Sequence, residues 1–330
     1  MILDLYWSID CGGFHCLLGG FSNEFVNWDD QTYIKLNYLV TKPNGYWAEA
    51  WNSNVALNYA PPTITSLMIN SDIFGFESAR SFIITNTLVH LLNVLLVFWF
   101  VLLLLKNKFK ILLPKAGKPL FVAFVTALLF TIHPVRVELV IWVSECKDVL
   151  YSFFFLAACI NYLKYLDFEK QRKYLIYSFL LFLASCLSKG QAAVLPIVLL
   201  LVDYWRERKF ERNVFVEKLP FLVLSLLFGL ISTNVQSGGN FYGLLHNIGV
   251  AGYATVDSEK VSIAENFTFA GYGFMMYCYH LLFPFKLSSF YLYDPFKNVH
   301  IEYFMGLLFM ISVVSFGSII IAKKRLQRLE

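Results

Sequence analysis

A succession of apolar stretches, each bounded by charge or proline, restricts this chain to folds that a bilayer can hold. Runs near the length of a spanning helix lie at about 82–105, 149–166, 219–236, 267–285 and 303–322, and shorter ones at 119–132, 174–187 and 191–205. A spanning helix needs roughly 20 apolar residues, and in hydrocarbon its backbone N–H and C=O groups must be paired within the segment. The composition agrees: 58% hydrophobic and only 15% charged residues are outside the range of soluble globular domains. Residues 1–21 carry Asp4, Asp10 and His15 among glycines, a costly set to insert, and they lack the basic start and unbroken apolar centre of a secretory signal. The expectation is an all-α polytopic integral membrane protein, one module over 1–330, with about eight or nine hydrophobic segments.

Charge then orients the segments. Lys106, Lys108, Lys110, Lys115 and Lys118 share one loop without an acid, the mark of a cytoplasmic connection. The basic groups Lys170, Arg172, Lys173 and Arg206, Arg208, Lys209, Arg212 agree. Regions 22–81 and 133–148 fall outside as a large first and a second external loop, and the acidic stretch 237–266 reads as a further one. The basic run Lys323-Lys324-Arg325 reads as cytoplasmic and so asks for an odd number of crossings between it and 237–266; either one of 267–285 and 303–322 is re-entrant or 237–266 is internal. The net charge of +4 is explained by these loops and points to no nucleic-acid partner. Six cysteines with no CxxC spacing indicate neither a disulfide framework nor a zinc site.

Three groups of residues could carry chemistry. Asp29-Asp30 places adjacent carboxylates among aromatic residues just outside the first stretch, where they could act on a substrate or form a turn or helix cap. Asn86, His90 and Asn93 recur at helical spacing on one face, as an intramembrane functional set or as interhelical hydrogen-bonding groups. The run from His133 to Asp148 compresses Arg136, Glu138, Glu145, Lys147 and Asp148 into one external connection, with no metal-ligand spacing such as HExxH. A fourth position, Lys189, lies between segments 174–187 and 191–205. A helix of about 14 residues reaches only about 21 Å across a core of about 30 Å, so this hairpin tip is expected in a recess below the external surface.

These residues resemble one family. The run from His133 through Lys147-Asp148 to Tyr165 resembles the HP-x-x-V-E-x-x-x-W-V-S-x-x-K-D-x-L block, and Thr85 to Asn93 the T-N-x-x-x-H-x-x-N pattern, of the transmembrane-and-TPR-containing O-mannosyltransferase-like proteins, which are membrane glycosyltransferases of the GT-C type. The resemblance extends to Phe25–Ile34, Leu187–Pro196, Leu201–Tyr204 and Pro284–Tyr293, nearly everything from residue 22 on. It departs at Cys146, usually arginine or glycine in that family, at Arg136, often histidine, and in residues 1–21, a poor first helix. No tetratricopeptide repeats follow and the family's later membrane helices are not represented, so the chain is expected to be a partial catalytic module.

The resemblance implies a GT-C-like helix bundle and an inverting transfer of a mannose-like sugar from a polyprenyl-phosphate donor to a hydroxyl, on protein or glycan, at the external or luminal face of the bilayer. Phosphate departs as a stable anion, so such a reaction needs one carboxylate to take the acceptor proton and cations to hold the phosphate. Asp30, or its neighbour Asp29, fits the base. Lys189, Lys147 and Arg136 fit the phosphate, and His90, Asn86, Asn93, His133, Glu138 and Asp148 stand behind them. No cofactor is assigned, although the second aspartate could hold a divalent cation. The rival from another class is a transporter or flippase, for which broken apolar segments and intramembrane polar residues are the usual pointers.

Overall fold

The computed structural model describes residues 20–42, 46–106, 118–236, 263–285, 287–288 and 301–326. Most of residues 1–21, most of the loop 106–118 and most of the stretch 237–266 therefore lie outside the described residues, as does much of the 284–293 block. Among the described residues the structure is helical, with one isolated bridge between Val55 and Asn58 and no strand.

The long helices follow the apolar runs, except the first, which forms within the region 22–81 read as the first external loop. They are α1 (Pro61–Phe74), α2 (Ala79–Leu105), α3 (Lys118–Ile132), α4 (Cys146–Asp167), α5 (Arg172–Ser188), α6 (Leu195–Trp205), α7 (Arg212–Gln236), α8 (Ile263–Leu282) and α9 (Ile301–Leu326). Among the described residues four helical stretches are long and apolar enough to cross a membrane: Ala79–Leu105, Val143–Asp167, Arg212–Gln236 and Ile301–Ile319. A fifth crossing is possible if Pro119–Ile132 and Pro134–Ile141, bent by 57° at His133, count together. Proline explains the bend: its ring disfavours helical backbone at the residue before it, and His133 is extended at φ −66°, ψ 124°. These are fewer spans than the eight or nine apolar segments of the sequence. The 17 residues of α5 reach only about 26 Å, and the apolar helix Gly190–Trp205 is likewise short.

Two compact units form, one within Cys11–Gly239 and one that includes α8 and α9. In the first, α5 packs back along α4, and α2 packs against both α3 and α4. The α4–α5 reversal is tight, with Glu169 and Lys170 both in left-handed backbone. Tyr162, Leu163, Phe182, Cys186, Leu195, Leu199 and Phe221 form its core. A second core under the first loop joins Tyr33, Ile34, Leu39, Ile64, Met68, Phe82 and Val143. Serine and threonine hydroxyls fasten helix to helix: Ser178 donates to Ala158 O, Ser185 to Tyr151 O and Ser225 to Ala193 O. Gly190 lies close against α7, where a Cβ would press on the Ser232 hydroxyl and make that side chain turn aside. In the second unit α8 and α9 cross at Gly271 and Gly306, where a Cβ on either would strike the backbone of the other helix.

Candidate functional site

The first loop is clamped onto the second by one carboxylate. Asp30 is fully buried, and its two oxygens accept backbone N–H bonds from Val26 at 2.9 Å and from Ser144 at 2.8 Å. Ser144 belongs to the 3₁₀ turn Val143–Glu145 that leads into α4, so Asp30 joins parts of the chain that are distant in sequence. Burial raises its carboxyl above the usual aspartate range; the two amides favour the ion but do not offset the desolvation.

Asn in place of Asp30 offers one acceptor to two buried donor amides. Leaving one N–H unpaired costs about 1–3 kcal/mol, and Asp30→Asn is expected to lower the melting temperature of the reconstituted protein accordingly. The pH dependence has a definite sign. The folded state holds the Asp30 proton more tightly than the unfolded chain does, so this contribution is full below the unfolded value of about 3.9 and is lost as pH rises through the raised value. The melting-temperature gap between wild type and Asp30→Asn should widen as pH falls from about 7 towards 4. A gap that narrows would show that the fold favours the ion.

The next residue back has a different environment. The Asp29 side chain is about one-third exposed, and its Oδ2 lies 3.5 Å from Lys147 Nζ. Lys147 stands in the first turn of α4, over the ring of the buried Tyr33 at 4.9 Å. It also reaches Glu145 Oε1 at 3.1 Å. The other oxygen of Glu145 lies 3.8 Å from Lys189 Nζ, and Lys189 pairs with Asp148 at 2.5 Å. The cluster is thus Asp29, Lys147, Glu145, Lys189 and Asp148, drawn from the first loop, the start of α4 and the tip between α5 and α6. Thr63 of α1 donates to Ser188 O beside Lys189 and ties the first loop to that tip as well. Lys147 and Lys189 side chains are 10% and 21% exposed, so they line a recess and not an open surface.

Four of the sequence candidates, Asp29, Lys147, Asp148 and Lys189, meet directly. Arg136 lies near them in the chain, yet its guanidinium sits over the Phe130 ring at 4.7 Å, and the Asp148 charge acts on it through space. His90 stacks on the same Phe130 ring at 5.4 Å. Its Nε2 is buried without a hydrogen-bond partner among the described residues. Asn86 Nδ2 donates to Trp142 O at 3.3 Å, and Asn93 Nδ2 to Val149 O at 2.9 Å. The two asparagines therefore bond carbonyls around the broken entry to α4, which is the interhelical role. His133 caps its turn, Nδ1 accepting from Val135 N–H at 3.3 Å, and Glu138 is partly exposed in the helical turn Val137–Ile141. Among the described residues no cluster of His, Cys, Asp and Glu is arranged to hold a metal ion.

Two features go beyond the sequence reading, which named Glu145 only as one charge of the His133–Asp148 run. Glu145 bridges both lysines, and its only sequence signal is its place between Ser144 and Lys147 in the charged run. The second is a buried network at the opposite end of α4. Tyr162 Oη bonds both Asp203 oxygens at 2.7 and 2.9 Å, and Lys218 bonds Asp203 and the Tyr162 hydroxyl. Arg208 grips Glu217 with two nitrogens at 2.6 and 2.8 Å and lies 3.4 Å from Asp203. The signal available was Asp203 near the end of an apolar run and Lys218 at the head of another.

An apolar groove of about 470 Å³ runs between α1 and the bundle, lined by Trp51, Pro62, Ile69, Ile73, Phe154 and Ala184 among others. The chain matches no protein-family model, no curated protein and no solved structure.

Proposed function

We propose that this chain is a membrane glycosyltransferase of the GT-C type that moves a mannose-like sugar from a polyprenyl-phosphate donor to a hydroxyl acceptor, protein serine or threonine, at the external or luminal face. The observation that carries the reading is the meeting of one solvent-accessible carboxylate, Asp29, with two recessed lysines from separate parts of the chain. Lys147 at the positive end of α4, with Lys189 beside it from the tip between α5 and α6, suits a lipid phosphate. The groove beside α1 suits the first isoprene units, because α1 is tethered beside Lys189 through Thr63. A bundle of eight or nine segments belongs to the same proposal.

In this mechanism Lys189 and Lys147 hold the donor phosphate, with Arg136 next to reach it. Asp29 accepts the proton of the acceptor hydroxyl as its oxygen bonds to the sugar C1. The C1–O bond to phosphate breaks on the opposite face, which inverts the anomeric centre, and the bonding electrons leave with the polyprenyl phosphate. Asp29 takes the base role over Asp30 because both Asp30 oxygens are occupied and buried, whereas Asp29 is reachable.

Lys189→Ala is expected to weaken binding of a polyprenyl-phospho-mannose donor by tenfold or more on the order-of-magnitude scale for a truncated charge partner. Titration of the labelled donor onto the protein in nanodiscs measures this. Unchanged affinity would remove Lys189 from the phosphate site. The flippase reading draws on the 57° break at His133; it predicts donor movement across vesicles without a glycosylated product.

A further inference from the structure

The Glu145 carboxylate does what a phosphate would do. One oxygen lies 3.1 Å from Lys147 Nζ and the other 3.8 Å from Lys189 Nζ, so a single anion spans the two ammonium groups. Each lysine also has its own acid: Lys147 has Asp29 at 3.5 Å and Lys189 has Asp148 at 2.5 Å. Glu145 is therefore the carboxylate the two lysines share, and its departure leaves each lysine an acid of its own.

We propose that Glu145 is an internal placeholder for the donor phosphate, occupying the bridge between Lys147 and Lys189 until the anion displaces it. The inference rests on the reading that these lysines take phosphate. Before the donor arrives, three carboxylates face two lysines, an arrangement that holds both lysines in place but repels an incoming anion. When phosphate takes the bridge, Glu145 must swing away. The backbone need not follow, since the neighbouring Ser144 N–H is fixed on Asp30 and a glutamate side chain has three torsions through which to turn. Its side chain is 14% exposed, so the recess has an opening beside it. Glu145 is thus a positioning residue that sets donor affinity, and it exchanges places with the phosphate on each turnover.

The test is binding, separate from turnover. Wild type, Glu145→Gln and Glu145→Asp in nanodiscs are titrated with fluorescent polyprenyl phosphate and, in a second arm, with inorganic phosphate. Removing one carboxylate charge from the recess should tighten Glu145→Gln by about tenfold for the lipid phosphate. Glu145→Asp, whose shorter side chain loses the bridge but keeps the charge, should show a smaller gain. A merely structural Glu145 would instead lower the melting temperature and weaken binding. Should Glu145→Gln fail to fold, the Asp variant decides by the same sign. A gain with inorganic phosphate alone would support the placeholder and identify a free anion as its occupant. Unchanged or weaker affinity in both arms overturns it. Sugar transfer by wild type with no gain in the variants would sink the placeholder and leave the transferase reading, whereas a gain without any transfer would do the reverse.

Discussion

Asp29→Asn, reconstituted with a polyprenyl-phospho-mannose donor and a hydroxyl acceptor, is expected to transfer sugar about 10²–10⁴-fold more slowly than wild type while inserting and melting as wild type does. The carboxamide preserves the shape of the side chain and removes its ability to take a proton. Little of the fold depends on Asp29: its side chain approaches Lys147 at 3.5 Å, and Lys147 keeps Glu145 at 3.1 Å when Asp29 is neutral. Surface-accessible pairs of this kind contribute at most about 1 kcal/mol. The contrast with Asp30→Asn is the informative part. That variant should lose stability through an unpaired buried amide, so a rate defect in it accompanies a lowered melting temperature, whereas the defect in Asp29→Asn does not. Full activity in Asp29→Asn would remove the proposed base.

The second large effect lies at the other end of the bundle and concerns stability alone. Asp203 is fully buried and Lys218 only 1% exposed, and they meet with the Tyr162 hydroxyl between α4, α6 and α7. Asp203→Ala leaves a buried ammonium with no carboxylate directly on it, because Arg208 is already committed to Glu217. Breaking one partner of a buried pair typically costs about 3–5 kcal/mol. The apparent melting temperature in nanodiscs should fall steeply. An Asp203→Leu, Lys218→Met double variant should recover most of the loss, because no uncompensated charge remains and the apolar pair fills similar space. A double variant as unstable as the single one would mean that the Tyr162 hydroxyl, and not the ion pair, carries the network.

The apolar runs were legible because hydropathy acts locally. Each of the eight stretches read from sequence corresponds to a helix, from 82–105 in Ala79–Leu105 to 303–322 in Ile301–Leu326. Their number as membrane spans was not legible, because length decides it and Pro134 divides one run into two bent pieces. Helical spacing correctly put Asn86, His90 and Asn93 on one buried face. It could not say that the asparagines serve the carbonyls of Trp142, Val143 and Val149, since those lie on another helix. Asp29 and Asp30 look equivalent in sequence. Neighbouring side chains on a helical turn point about 100° apart, so one enters the loop junction and the other faces Lys147. Glu145 and the Asp203–Lys218 pair stayed hidden for a common reason: their meaning comes from cations supplied by distant segments, which no local pattern announces.

The central claim is that the recess formed by Asp29, Lys147 and Lys189 performs sugar transfer from a lipid phosphate. Its most direct measurement is mass-spectrometric detection of product after purified protein in proteoliposomes is given polyprenyl-phospho-mannose and a serine/threonine peptide on the external side. The account predicts a mannosylated peptide of inverted anomeric configuration, formed by wild type and not by Asp29→Asn. Donor carried across the vesicle membrane with the peptide left unmodified would contradict it.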